Sequence, residues 1–238
     1  MSTFVLVPGA WLGGWVWKKL APILEEYGHN AVPVTLTGLG ERFHLSNSHI
    51  GLNTAIEDVR NIIEYEDLHD VVLVGHSFAG IVAGGVTDQI PDRITTLLYL
   101  EANIPGNTQL PQGIFTSWSE KGRKSVLEDC RDDGDGLKWP LTEEMLKGMA
   151  FDLEAQDTNW MMSKVIPHPI KMFQDTISLS PGYDSIRKAY VFCTKDGKAK
   201  DWMNEAELSG KIATMRSGHY SMVTKPRELA HILVILCQ

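Results

Sequence analysis

The run Gly75-His76-Ser77-Phe78-Ala79 places a serine between an apolar stretch, 71–74, and a helical pattern rich in small residues. A serine at such a junction, with a small residue two positions to either side, describes a nucleophile elbow. The turn is so tight that only small side chains fit at its flanks, and it lifts the serine Oγ clear of the strand. The usual pattern closes on Gly where this chain has Ala79, with Gly80 following at once. A serine hydroxyl is inert near neutral pH without a base, and the base needs a third group to steer it. In folds built on such an elbow the chain order is serine, acid, histidine. Of the eight histidines, His219 in Ser217-Gly218-His219-Tyr220 suits that order, lying between the last strand pattern and the final helix. His29, His69 and His231 read as structural, and His44 and His49 flank a Ser/Asn loop without metal-ligand spacing. His168 sits between two prolines, and the His76 side chain should point away from the Ser77 Oγ. The acid is expected at Asp196, just past the strand pattern 189–193, with Asp201 beside Trp202 as its rival. A developing oxyanion needs two donors. The N–H of Phe78 is one, and the N–H of Ala10, in Pro8-Gly9-Ala10-Trp11-Leu12-Gly13-Gly14-Trp15, is assigned as the other.

Strands alternating with helices must position these groups, the mark of a mostly parallel sheet in an α/β fold. Residues 3–7 form the first apolar strand pattern; 30–36 form another, with Pro33 suggesting an edge. Between them a helix from about Trp15 ends at Gly28, and Pro22 implies a late start or a kink. Asn53 is expected to cap a helix whose inward face is Ile56, Val59 and Ile63. Glycines weaken a helix by about 1 kcal/mol each, so the cluster Gly80, Gly84, Gly85 after the elbow implies close packing against the sheet. Further strands are expected at 95–100 and 211–215. The last helix starts near Pro226, with its buried stripe at Leu229, Ile232, Leu233 and Leu236. From about 105 to 185 the alternation stops. This stretch reads as a helical cap inserted into one domain spanning 1–238, its Trp118, Trp139, Trp160 and methionines suited to an apolar substrate pocket.

Composition excludes other classes. With 22 basic and 30 acidic residues the net charge is −8, which opposes nucleic acid and anionic membranes alike. Cys130, Cys193 and Cys237 show no paired or zinc spacing and read as free thiols in a reducing compartment. The N-terminus lacks a signal-peptide pattern, so the expected location is cytoplasmic. Gly13-Gly14 completes no dinucleotide fingerprint, and Asp132-Asp133-Gly134-Asp135-Gly136 lacks calcium-loop spacing and reads as a surface turn. No cofactor and no metal are expected. The oligomeric state, monomer or homodimer, is left open.

At Phe4-Val5-Leu6-Val7-Pro8-Gly9-Ala10-Trp11, Gly28-His29-Asn30-Ala31-Val32, the elbow, Gly218-His219 and Lys225-Pro226 the sequence resembles the α/β-hydrolase superfamily. More narrowly, it resembles the plant methylesterase and hydroxynitrile lyase family and its bacterial esterase relatives. Thr37-Gly38-Leu39-Gly40-Glu41-Arg42 is more like the bacterial branch. The resemblance implies nucleophile, acid and base at Ser77, Asp196 and His219, and oxyanion donors at Ala10 and Phe78. It implies a serine esterase acting on a small-molecule carboxylic ester. A cyanohydrin lyase and a slow, receptor-like hydrolase are the alternatives. Lyases of the family carry a Thr and a Lys where this chain has Gly9 and Tyr220, which argues for the esterase.

Overall fold

The computed structural model describes residues 1–105, 113–132, 136–198 and 210–237. Asp201, Trp202 and the centre of the acidic turn, 133–135, lie outside them. Six parallel strands form one sheet in the order β2-β1-β3-β4-β7-β8. They are β1 (Thr3–Val7), β2 (Asn30–Pro33), β3 (Val71–His76), β4 (Ile94–Leu100), β7 (Lys188–Thr194) and β8 (Gly210–Arg216). β3 is buried along its whole length, as its continuous apolar run requires of a strand covered on both faces. Helix α2 (Leu52–Tyr65) packs on α3 (Ala79–Gln89), and α1 (Ala21–Glu26) packs on the final helix, Pro226–Cys237. Leu229, Leu233 and Leu236 of that helix are buried, with Ile232 half-buried beside them.

Three boundaries differ from the sequence reading. The expected strand 30–36 stops at Pro33, which has no N–H for the ladder and lies on the edge strand. The stretch expected as one helix from Trp15 splits into a 3₁₀ segment, Gly14–Lys19, and α1, with Pro22 in the first turn of α1, where its missing N–H costs nothing. Helix α2 starts at Leu52 behind Gly51 rather than behind an Asn53 cap, and its Leu52 N–H donates to Asp175 Oδ2 at 3.0 Å. A distant carboxylate thus does the work assigned to a local side chain.

Between β4 and β7 the chain leaves the sheet for short helices and an antiparallel two-stranded ribbon, β5 (Lys138–Trp139) and β6 (His168–Pro169). Aromatic contacts run through this insert and join it to the core at Phe78. Phe173 lies 5.0 Å from Phe78 and 5.4 Å from Trp139, and Trp118 lies 5.7 Å from Trp139, measured between ring centroids. Met161 and Met172 are buried with them. Among the described residues no helix is long and apolar enough to cross a membrane.

Candidate active site

Because the sheet is parallel, the C-terminal ends of its strands share one edge, and Ala10, Ser77, Phe78, Asp196 and His219 each lie just past one of them. Ser77 follows β3 with φ of 54°, a left-handed backbone that a serine adopts only when its surroundings impose it. The surroundings are explicit. Ser77 N–H donates to Leu100 O at 3.1 Å, and Ser77 O accepts from Asn103 N–H at 2.9 Å and from Gly80 N–H at 3.1 Å. A Cβ on Gly75 would stand 2.7 Å from the Ala79 carbonyl oxygen, so the turn closes only on glycine. The elbow reading predicted this crowding.

The first loop lies against the elbow. A Cβ on Gly9 would meet the Ser77 Cβ at 2.9 Å and His76 Nδ1 at 2.8 Å, so bare backbone is required there. Among the described residues neither the Ala10 N–H nor the Phe78 N–H donates a hydrogen bond. Phe78 opens α3, where unpaired N–H groups and the helix dipole both favour an anion.

His219 is fixed through its main chain. Its N–H donates to Met149 O at 3.0 Å, and its O accepts from His76 Nε2 at 2.9 Å, the two imidazoles lying 4.7 Å apart. Burial, and then the neighbouring His219, holds His76 well below the usual histidine range. His76 is therefore neutral, with its Nε2–H donating to the His219 carbonyl. Among the described residues no hydrogen bond joins its ring to Ser77. His76 ties β3 to the His219 loop, a role the sequence reading did not assign. Asp152, from the insert, braces the same loop. Its Oδ1 accepts from Gly218 N–H at 2.9 Å, and its Oδ2 accepts from Ser217 Oγ at 2.9 Å and Thr224 Oγ1 at 3.0 Å. Nothing local marked Asp152, since its partners stand more than sixty positions away.

Burial pushes the His219 pKa down to about 4, so the ring is a free base at neutral pH. No hydrogen bond joins it to Ser77 Oγ or to a carboxylate among the described residues. Asp196 sits in the exposed turn after β7, where its Oδ1 accepts from Lys198 N–H at 3.2 Å. β7 and β8 are neighbours with Thr194 opposite Arg216, so the Asp196 turn and the His219 loop leave adjacent strands at the same edge. The structure thus brings Ser77, the first loop and the His219 backbone together, with the Asp196 turn at the same edge of the sheet. Tyr220 is buried beside His219, which drives its pKa above the ordinary tyrosine value and keeps it uncharged.

The model of the alpha/beta hydrolase family matches residues 4–232. A carbendazim hydrolyzing esterase from Nocardioides sp. (strain SG-4G) is 32% identical, covering 99% of this chain and 100% of the relative. Polyneuridine aldehyde esterase from Rauvolfia serpentina is 25% identical over 97% of this chain and 94% of its own. The structure of an extracellular alpha/beta-hydrolase from a Paenibacillus species superposes with a TM-score of 0.86 at 21% identity, covering 99% of each chain.

Proposed function

Since this chain belongs to the alpha/beta hydrolase family and is a carboxylic-ester hydrolase, we propose that it cleaves small to medium apolar or aromatic esters through an acyl-enzyme on Ser77, without a cofactor. The observation that carries this reading is the left-handed Ser77, pinned between β3 and α3 beside two undonated N–H groups. Ser77 Oγ attacks the ester carbonyl as His219 takes its proton. The N–H groups of Ala10 and Phe78 receive the charge on oxygen. His219 then protonates the leaving alcohol and draws a proton from the water that releases the acid. Asp196 is the acid of this reading, pairing with the imidazolium as it forms. The insert 105–185 acts as a cap, and its aromatic and methionine side chains favour apolar substrates.

Lyase chemistry is disfavoured at two positions. Gly9 offers no hydroxyl to a cyanohydrin, and the buried, neutral Tyr220 supplies no charge to departing cyanide. The test is a panel of ester and lactone substrates, with mandelonitrile included, run on the wild type and on Ser77→Ala. Ser77→Ala is expected to lose several orders of magnitude in turnover while remaining folded. Retention of more than about a tenth of wild-type turnover, under about 1.4 kcal/mol in barrier, would rule out Ser77 as nucleophile.

A further inference from the structure

Trp11, the residue after the Ala10 donor, has φ of 65°. A left-handed backbone at a bulky aromatic residue is strained and persists only where its surroundings over-determine it. Here those surroundings belong to the insert. Trp11 N–H donates to His168 Nδ1 at 3.1 Å, and Trp11 O accepts from Ile166 N–H at 3.4 Å. Its indole Nε1–H donates to Trp139 O at 2.8 Å, and the Trp11 and Trp139 rings meet edge to face at 4.7 Å. Trp139 and His168 are partners across the β5–β6 ribbon, so this ribbon, with Ile166 just before its second strand, makes the clamp.

His168 is fully buried, and burial pushes its pKa down to about 3, so the ring is neutral. Because Nδ1 accepts the Trp11 N–H, the proton must sit on Nε2, which has no hydrogen-bond partner. The same ring packs edge to face on Phe78, the residue of the other donor, at 4.8 Å, and on Phe173 at 5.0 Å. One imidazole from the insert therefore touches both segments that carry the oxyanion donors.

We infer that His168 is a positioning residue for the oxyanion hole: its Nδ1 holds Trp11 left-handed and thereby aims the preceding Ala10 N–H, while its ring edge seats Phe78. This inference rests on the serine-esterase reading, which makes Ala10 and Phe78 the donors. The group at 168 must be an acceptor at a fixed place, flat, and uncharged. A protonated Nδ1 would set one N–H against another. Loss of the acceptor leaves the Trp11 N–H buried and unpaired, and the loop relieves this by turning away from its strained conformation.

The test compares His168→Phe, which keeps a ring and removes the acceptor, with His168→Asn, whose amide oxygen replaces Nδ1. Both are measured for kcat and KM on p-nitrophenyl acetate and for hydrogen exchange of the Trp11 amide. His168→Phe is expected to lower kcat about 10- to 100-fold with KM nearly unchanged and to speed exchange at Trp11. His168→Asn should restore most of kcat and the amide protection. A rise in KM at constant kcat would make His168 a substrate contact and overturn the inference. Unchanged kcat in His168→Phe would overturn it as well. Should His168→Phe not fold, His168→Asn decides: loss of Trp11 protection or of kcat in that variant overturns the inference. Wild-type activity in Ser77→Ala would sink the serine reading instead, and amide exchange would still report on the clamp.

Discussion

Ser77 and His219 are held by backbone rather than by each other. The serine is locked by hydrogen bonds to the end of β4, and the histidine by bonds to Met149 O and His76 Nε2. Such anchoring fixes both backbones before substrate arrives, so in the proposed mechanism the catalytic hydrogen bonds need only tighten in the complex. The pH dependence follows from the His219 pKa of about 4. The base form predominates above that value and is lost below it, so kcat/KM should stay level from pH 7 down to about 5. A fall centred at 6.5 in initial-rate assays would show the ring solvated or paired with a carboxylate in the free enzyme. Asp196→Asn is expected to lower that plateau by up to about 10⁴-fold, because the amide cannot balance the imidazolium, while leaving its acidic end in place.

At the scale of elements, the insert completes the site that the sheet begins. The loop after Met149 grips the base loop through Asp152, and the β5–β6 ribbon grips the first loop through Trp11. A Cβ on Gly218 would stand 2.6 Å from Asp152 Oδ1, so this brace needs glycine beside His219. Asp152→Ala removes the acceptor shared by Ser217, Gly218 and Thr224. It should lower kcat about 10- to 100-fold with little change in KM. Each donor stranded in a buried position costs about 1–3 kcal/mol, visible as a lower urea midpoint. Wild-type kcat in this variant would show that the base loop keeps its shape unaided.

The whole molecule should resist neutral and mildly alkaline conditions better than acid. His76, His168 and His219 all have pKa values lowered by burial, to about 3 for His168 and about 4 for His219. Unfolding returns them to about 6.5, so between these values the unfolded chain binds more protons than the folded one. Their contribution is complete above about pH 6.5. It is lost as pH falls, by about 1.4 kcal/mol per unit for each histidine. Glu101 acts in the opposite sense, since burial raises its carboxyl and favours the folded state when protonated. Three histidines outweigh one carboxyl, so urea midpoints should fall steadily from pH 7 to pH 5. Equal midpoints at those two values would contradict the buried, neutral assignment.

The sequence by itself determined what neighbours along the chain decide. The elbow at Gly75-His76-Ser77-Phe78-Ala79 and the apolar runs of β1, β3 and β4 are local or periodic signals, and the structure places each at the end or the heart of a strand. Only the tertiary structure decided what holds those groups. Asp175 rather than Asn53 serves the start of α2, and Asp152 and His76 brace His219. His168 meets Trp11 across 157 positions of chain. The Asp196 turn and the His219 loop come to the same edge of the sheet because β7 and β8 pair side by side. The division has a physical origin. Hydrophobic period and turn chemistry are set by adjacent residues, whereas a hydrogen bond between distant segments depends on how the insert docks on the sheet, and no local pattern encodes that docking.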